Sequence, residues 1–566
     1  MRTMRSSHQI AALTIFLVAA AGGWSDPPPG EPPASVIVQS HDVAAAAALV
    51  HAVGGRVSHR LAIIDAVAAE LKASQRAALA GRARLYDNRP VTVAGKPRQT
   101  GQNGPATATI GEPAYVDFPA RIGADRLHAQ GITGYGVTIA VLDTGHFRTA
   151  ALERDAAGRR RLLAHYDAIA GRLLTNRDSD QHGHGGHVAS IAVNSELGVA
   201  VDPLTGSLSR GYNGIAPDAD LVVVKAFDAA GASTYADVIR GLDWLLLNRA
   251  YYGIRVLNLS FSVPATSYYW DDPIDQAVIR AWREGIVVVT SAGNGGPAPM
   301  SVGVPGNAPH VITVGAMSDN RTPHDPGDDF VASFSAAGPT VEGFLKPELV
   351  APGGHMVGKM SPQSRTALAH PENRLPGDYF RMSGTSQAAA VVSGVAALLL
   401  QADPTLSPDQ VKCRLMASAD PAVTAGGELA YAVFQQGAGL VDAVGAAASD
   451  VSLCANGGLD ASPQAQAIAR RAGPARLDAA GRFYVGGVGY PWDRSYAVTA
   501  SRWLDGIPWV DGIPWVDGIP WVDGIPWVDG QPQVDGIPWV DGIPWVDGVG
   551  PAPLATAAVS GWVAQD

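Results

Sequence analysis

Four runs dominated by aliphatic residues recur through the middle of the chain, with helix-forming stretches between them. The runs cover residues 136–142, 221–226, 256–260 and 286–290, and helical patterns lie at 237–248 and 274–284. A run of this kind is typical of a strand that is buried on both faces. Strands that alternate with helices predict a doubly wound parallel sheet with helices on both faces. In such sheets, functional side chains gather at the carboxyl ends of the strands.

The length and the charge of the chain bear on its number of domains and on its partners. A chain of 566 residues is too long for one typical domain, so we expect several units. The formal net charge is −11 and no basic patch stands out, which argues against nucleic acid as a partner. Eight of the acidic residues are repeat aspartates between Asp505 and Asp547, so the charge says little about the rest of the chain.

Residues 1–22 have the pattern of a secretory signal peptide. Arg2, Arg5 and His8 precede an apolar stretch at 10–21, which ends in an Ala-x-Ala cleavage pattern. That stretch is too short to span a bilayer comfortably. We therefore expect a secreted protein, extracellular or periplasmic, with no membrane span after signal removal. The apolar stretch 388–400 is also too short for a span and is predicted to be a core helix.

A small α+β domain is predicted over residues 34–94. Strands are expected at 35–40, 61–67 and 91–93, a helix capped by Asp42 at 43–53, and a second helix at 75–80 with Ser74 as its N-cap. The polar, glycine-rich stretch 94–111 is then the natural linker for an activating cleavage.

Three short segments, far apart in the sequence, supply the groups of a serine acyl-transfer site. Asp143 follows the first aliphatic run, His184 stands in His-Gly-Gly-His, and Ser386 stands in Gly-Thr-Ser-Gln before an alanine-rich helix. A serine hydroxyl is a weak nucleophile that needs a general base, and the base needs an orienting group. We assign Ser386 as nucleophile, His184 as base and then acid, and Asp143 as the orienting carboxylate.

These motifs, in the order Asp, His, Ser, resemble the subtilisin-like serine peptidases, or subtilases. The segments at 214–219, 351–353 and 437–441 are also similar to that family, so we expect the catalytic domain at 115–450. The resemblance implies a subtilisin-like fold, protein or peptide substrates and no organic cofactor. It also implies that the domain at 34–94 is an inhibitory propeptide. Calcium stabilises many subtilases, but no matching Asp-rich loop is found here, so no metal ligand is assigned.

The resemblance extends to the oxyanion hole and the substrate cleft. Asn294, after the last aliphatic run, matches the asparagine whose amide joins the backbone N–H of Ser386 in binding the oxyanion. Further substrate-binding residues are expected on two segments beside it: Ser260, Phe261 and Ser262, and then Ala292 and Gly293.

The chain departs from the family pattern at four positions. Gly186, Gln387, Ala390 and Ser262 stand where subtilases usually carry Thr, Met, Pro and Gly. The first three leave the reacting groups intact, whereas Ser262 narrows or polarises the pocket for the residue before the scissile bond, called P1.

Four further side chains have structural interpretations. His182, two residues before the assigned base, is interpreted as a solvated loop histidine, and His187 as a structural one. The two cysteines, Cys413 and Cys454, form a disulfide or remain two buried thiols, because export permits pairing and sequence alone does not fix their distance.

Seven tandem hexads of the type Val-Asp-Gly-Ile-Pro-Trp occupy residues 504–545, within a repeat region at 503–548. A linker or accessory segment at 451–502 precedes them and a tail at 549–566 follows. Six hexads carry Trp, and such a surface usually marks a partner, here a cell-wall polymer or another surface. A β-helix fragment and a slippage-expanded tail without a ligand are the alternatives; proline in every hexad counts against the β-helix.

The sequence therefore predicts a secreted serine endopeptidase made as an autoinhibited precursor. The alternative is a catalytically inactive subtilase scaffold that acts as a secreted binding protein through its Trp-rich repeats.

Overall fold

The computed structural model describes most of the chain between residues 32 and 491. The described residues are 32–93, 116–175, 178–201, 208–320, 322, 325–451, 455–456, 459, 468, 470–486 and 490–491. The predicted signal peptide, the linker 94–111, Cys454 and the hexad repeats lie outside them.

A small α+β unit begins the described chain. Its elements are β1 Ala34–Gln39, α1 Val43–Ala52, β2 Arg56–Leu61, β3 Ala66–Leu71, α2 Ala73–Leu79 and β4 Arg84–Asp87. The strands form an antiparallel sheet in the order β2-β3-β1-β4, and a separate apolar core lies between this sheet and the two helices. Asp42 caps α1 as predicted, because its Oδ1 accepts a hydrogen bond from Ala45 N at 2.7 Å.

Three predictions in this unit were wrong in detail. Residues 61–67 are not one strand: Leu61 ends β2, a 3-10 turn covers Ala62–Ile64, and Asp65 turns the chain with a positive φ of 54°. The second helix starts earlier than expected, with Lys72 rather than Ser74 at its N-cap. Residues 91–93 do not close this sheet, because they pair with the larger unit instead.

The larger unit contains most of the remaining elements. In chain order they are β5 Pro90–Thr92, α3 Phe118–Arg121, α4 Ala124–His128, β6 Thr138–Asp143, α5 Ala150–Glu153, β7 Leu162–Asp167, β8 Arg172–Leu173, α6 His184–Val193, β9 Leu197–Val201, β10 Leu208–Tyr212, β11 Asp220–Lys225, β12 Ala232–Thr234, α7 Tyr235–Tyr252, β13 Ile254–Leu259, α8 Pro273–Arg283, β14 Val287–Ser291, β15 Ile312–Ser318, β16 Phe330–Val331, β17 Leu349–Pro352, β18 Met356–Lys359, α9 Arg365–Ala369, β19 Arg374–Leu375, β20 Tyr379–Met382, α10 Thr385–Ala402, α11 Pro408–Ser418, α12 Val433–Gln436 and α13 Ala443–Ala448.

The four aliphatic runs are the centre of one mostly parallel sheet. The strand order is β16-β15-β14-β13-β6-β11-β7-β8, with β17 also paired to β15. Only the short strands β8 and β16 are antiparallel to their neighbours in the described sheet. Helices α6 and α10 pack together and α10 lies against β13 to β15, whereas α7 and α8 form a second pair against β6, β13 and β14. The predicted doubly wound parallel sheet is confirmed.

The register aligns the strand ends that carry the site. Asp143, the last residue of β6, pairs with Lys225 at the end of β11, and Leu142 pairs with Leu259 at the end of β13. The carboxyl ends of neighbouring strands therefore meet at one edge, as expected for parallel strands. Lys225 supports this edge, since its buried Nζ donates to Thr144 O at 2.6 Å and to Phe227 O at 3.0 Å.

Helix α10 runs through the core of the larger unit. Among the described residues, it is the one helix that is long and apolar enough to cross a membrane. However, 89% of this 18-residue helix is buried inside the protein. This burial agrees with the prediction of a core helix.

The described chain ends in a small three-stranded antiparallel sheet, β21 Ala475–Leu477, β22 Phe483–Val485 and β23 Tyr490–Pro491. Beside it, Cys413 on α11 is buried and disulfide-bonded. Cys454, the other cysteine of the predicted pair, lies outside the described residues.

Candidate active site

Asp143 and His184 form a buried hydrogen-bonded pair at the carboxyl edge of the sheet. Asp143 ends β6, and His184 is the first residue of α6. His184 Nδ1 lies 2.7 Å from Asp143 Oδ1, and each side chain is only 1% exposed. A carboxylate at Nδ1 selects the tautomer that carries its proton there. Nε2 then remains available as a base, and it makes no hydrogen bond to any described residue.

The charge environment of His184 favours proton uptake. Burial acts to lower the pKa of His184, because the charged ring loses hydration. The charge and hydrogen bond of Asp143, together with the charge of Asp180, outweigh burial and hold the pKa of His184 above its ordinary value. The ring is thus prepared to accept a proton and to be stabilised as an imidazolium.

Asp180 organises the start of helix α6 and was not among the predicted site residues. Its Oδ1 accepts hydrogen bonds from Thr144 Oγ1 and Gly183 N, and its Oδ2 accepts one from Gly186 N, all at 2.7 Å. Asp180 therefore caps the helix that begins with His184 and ties it to the residue after Asp143. Asp180 stands three residues before the N-cap, Gly183, and no helix was predicted here from the sequence, so no local capping signal pointed to it.

Ser386 lies near the N-terminus of α10, the helix that packs against α6. Its side chain is buried, and its Oγ donates to the carbonyl oxygen of Ser260 at 3.2 Å. The next residue, Gln387, places Nε2 3.4 Å from Nδ1 of His187, one turn after His184. The structure thus brings Ser386 and His184 to the adjoining starts of two packed helices, with the serine hydroxyl resting on Ser260.

Asn294 is held against the same helix terminus. Its Oδ1 accepts hydrogen bonds from Thr385 N at 2.9 Å and from Thr385 Oγ1 at 2.8 Å. Thr385 Oγ1 also accepts a hydrogen bond from Gly293 N at 3.2 Å. These contacts fix which way the amide points, so its NH₂ group faces away from Thr385. The first N–H groups of α10, including that of Ser386, have no partner within the helix and carry its positive dipole end.

The residues predicted to line the cleft lie on two adjoining segments. Ser260 and Ser386 are linked in both directions, since Ser260 Oγ also donates to the carbonyl of Ser386 at 3.0 Å. Phe261 is fully buried. Ser262 faces Gly293 across the cleft floor, where a Cβ added to Gly293 would lie 2.8 Å from Ser262 Oγ. The hydroxyl of Ser262 therefore fills space that a glycine would leave open.

The chain's own segment 90–93 occupies this cleft as an added strand. On one side β5 pairs with β12 in antiparallel register, with Thr92 opposite Ala232. On the other side Val93 forms an antiparallel bridge with Phe261. Val93 N also donates to Gly231 O at 3.1 Å. A peptide held between two strand edges by backbone hydrogen bonds is a recurring mode of peptide recognition.

Two neighbouring histidines are buried. His182 is 5% exposed, so its interpretation as a solvated loop residue was wrong. Burial, followed by the charge of His184, lowers the pKa of His182 to about 4, which keeps this ring neutral. His187 is fully buried, its Nε2 lies 3.0 Å from Phe380 O, and burial lowers its pKa to about 4. Its interpretation as a structural residue agrees with these contacts.

The departure at Gly186 has a packing reason. A Cβ at Gly186 would lie 2.8 Å from the Cβ of Phe147, closer than real side chains approach, so the threonine usual in subtilases does not fit beside Phe147. The glycine keeps its backbone N–H on Asp180, and the capping of α6 is preserved.

The described residues contain no group of three or more His, Cys, Asp or Glu side chains arranged to hold a metal ion.

Comparison with known proteins finds a family, related sequences and a similar fold. The model of the subtilase family matches residues 134–441. The chain is 38% identical to the serine protease AprX of Bacillus subtilis (strain 168), over 50% of this chain and 61% of AprX. It is 32% identical to subtilisin DY of Bacillus licheniformis, over 53% of this chain and 89% of that protein. The match thus spans less than two thirds of AprX. Among solved structures, fervidolysin from Fervidobacterium pennivorans, a keratinolytic enzyme related to subtilisin, has a similar fold, with a TM-score of 0.56 and 24% identity over 76% of this chain and 63% of that one.

Proposed function

We propose that this chain, which belongs to the subtilase family, is a secreted serine endopeptidase that is made as an autoinhibited precursor. It would hydrolyse peptide bonds in protein or peptide substrates through an acyl-enzyme on Ser386. The observation that carries the proposal is the buried pair of His184 Nδ1 and Asp143 Oδ1, 2.7 Å apart, beside the serine at the start of α10.

The chemistry follows from the roles of these groups. His184 Nε2 takes the proton of Ser386 as Oγ attacks the substrate carbonyl, so the hydroxyl must rotate from Ser260 O toward the ring. Asp143 stabilises the imidazolium that forms. The ring then gives its proton to the leaving amine, and a water molecule repeats the sequence to release the acyl group. The amide NH₂ of Asn294 and the N–H of Ser386 receive the oxyanion.

The strand 90–93 supports autoinhibition and indicates where the precursor is cut. Val93 forms an antiparallel bridge with Phe261, and the carbonyl of the residue before Phe261, Ser260, accepts from Ser386 Oγ. The residue that follows Val93 in the sequence is Ala94. The bond after Ala94 is therefore the one we expect Ser386 to attack. Alanine also suits a P1 pocket narrowed by Ser262. After the cut, the N-terminal segment that ends at Ala94 would stay bound through residues 90–93 as a product-like inhibitor.

Export rests on the N-terminal sequence, and a surface ligand for the hexads remains a proposal from their tryptophans. Neither is needed for the catalytic proposal.

The test compares N-terminal mapping and fluorophosphonate labelling of the exported wild type, Ser386→Ala and Ser449→Ala. Ser449 follows α13, and its Oγ accepts a local hydrogen bond from Val451 N at 3.3 Å. We expect wild type and Ser449→Ala to begin at Gly95 and to be labelled, and Ser386→Ala to keep its N-terminal unit and remain unlabelled. A wild type that is neither cut nor labelled after limited trypsin treatment would support the inactive-scaffold alternative.

A further inference from the structure

Arg89, one residue before β5, inserts its side chain into a pocket of the larger unit. Its Nη2 lies 2.7 Å from Asp272 Oδ2 and also donates to the hydroxyl of Tyr235, while its Nη1 donates to Thr266 Oγ1. The guanidinium carbon lies 4.5 Å from the centroid of the Tyr235 ring. The backbone is fixed as well, because Tyr235 N donates to Arg89 O at 2.9 Å. Side chain and backbone are thus both bound.

Other hydrogen bonds hold the residues of the pocket in place. Asp272 is fully buried and caps α8, where its Oδ1 accepts from Ile274 N at 2.9 Å. This leaves Oδ2 to face Arg89, with Tyr235 donating to it at 3.0 Å. A buried carboxylate is costly unless a cation pairs with it. A planar, weakly hydrated guanidinium that also stacks on an aromatic ring suits this surrounding better than a lysine ammonium does.

The position of Arg89 along the cleft shows which substrate residue would enter this pocket. With Ala94 as the P1 residue, Arg89 is the fifth residue before it, at P6, and residues 90–93 connect the two as an extended strand. When the cut segment leaves, Arg89 leaves with it, and Asp272 loses its cation. The next extended peptide to enter the cleft then presents its own P6 residue at the same place.

We propose that Asp272, Tyr235 and Thr266 form an arginine-binding subsite of the mature enzyme, which selects substrates with arginine at P6. The proposal rests on the proposed peptidase function. These residues would determine substrate specificity and would take no part in the chemical step. The value of kcat/KM should therefore depend on the side chain at P6, five residues before P1.

The experiment measures kcat/KM of the matured enzyme on two N-terminally blocked reporter peptides. One is Arg-Pro-Val-Thr-Val-Ala, the sequence of residues 89–94, and the other has Gln in place of Arg. A charge-assisted contact in a buried pocket leads us to expect a preference for the arginine peptide of roughly 10-fold to 100-fold. Asp272→Asn should reduce this ratio to near 1, and Tyr235→Phe should reduce it in part, while cleavage of the Gln peptide changes little.

The matched control is Asp271→Asn, which removes the neighbouring charge. Asp271 is partly exposed and faces Arg84, 3.5 Å away, rather than Arg89. This variant should keep the preference of the wild type. Equal cleavage of both peptides by wild type would overturn the subsite while leaving the peptidase standing. Failure to cut either peptide would overturn the peptidase proposal, and the subsite with it.

Discussion

At the scale of single residues, the proposed catalytic step depends on Asp180, which is a positioning residue. Its carboxylate accepts hydrogen bonds from Gly183 N and Gly186 N at the start of α6 and from Thr144 Oγ1, and its charge helps to raise the pKa of His184. The orientation and the basicity of the ring are therefore coupled to one side chain that does not contact it through a hydrogen bond in the described structure.

Asp180→Asn should lower the pKa of His184, because one negative charge that favours the imidazolium is removed. The base must be neutral to act, so its activity is lost as pH falls through this pKa. The acid limb of the pH profile of kcat/KM should therefore move to lower pH in the variant, with a loss of stability of about 1–2 kcal/mol from weaker capping. Asp178→Asn, an exposed neighbour, is the control. An unshifted acid limb in Asp180→Asn would contradict the assigned role.

At the scale of elements, the start of α10 carries the proposed nucleophile and contacts Asn294, the proposed oxyanion donor. Thr385 precedes Ser386 and fixes Asn294 through both its backbone N–H and its hydroxyl. The first turn of α10 thus carries the proposed nucleophile and, through Thr385, orients the side chain of Asn294 on the segment after β14.

Thr385→Val keeps the shape of the side chain and removes only the hydroxyl contacts. The backbone bond to Asn294 remains, so we expect kcat to fall roughly tenfold with KM little changed. Asn294→Ala should cost about 10²–10³ in kcat, the range known for loss of an oxyanion donor. If Thr385 acts through Asn294, Thr385→Val should add no further loss in the Asn294→Ala background. An additive loss in the double variant would mean that Thr385 acts by another route.

The central strands could be predicted from the sequence because a strand covered on both faces has to be apolar throughout. The edge strands β2 and β4 of the small unit were missed, since partly solvated strands such as Arg56–Leu61 mix polar and apolar residues and leave no run. The turn at Asp65 was missed as well, because a non-glycine residue with positive φ carries no glycine or proline signal.

The same limit applies to the site. Asp143, His184 and Ser386 stand in short local motifs, so each could be proposed as a site residue from its neighbours in sequence. The contact of Arg89 with Asp272 joins residues 183 positions apart and has no local pattern. Contacts of this kind become visible only when the folded chain brings the two segments together.

At the scale of the whole molecule, the N-terminal unit covers the cleft through more than its last strand. Ile63 N, in the turn after β2, donates to Asp243 Oδ1 on α7 at 2.8 Å, and His59 Nε2 lies 3.9 Å from Asp237 Oδ1 on the same helix. The unit therefore docks on α7 as well as in the cleft. Two linked contacts bind more tightly than either alone, and cutting the chain after Ala94 would leave both in place. In the proposed precursor, cleavage and release of the cut segment would therefore be separate steps.

Asp243→Ala should accelerate release of the cut segment and leave the cleavage itself unchanged. The variant loses the acceptor for Ile63 N, so the cut segment should dissociate several-fold faster and the lag between cleavage and the appearance of peptidase activity should shorten. Asp243 lies outside the proposed catalytic residues, so the final activity should equal that of wild type. Leu247→Ala, on the same helix but with its side chain 73% exposed, should keep the wild-type lag. An unchanged lag in Asp243→Ala would show that the cleft strand alone sets the rate of release.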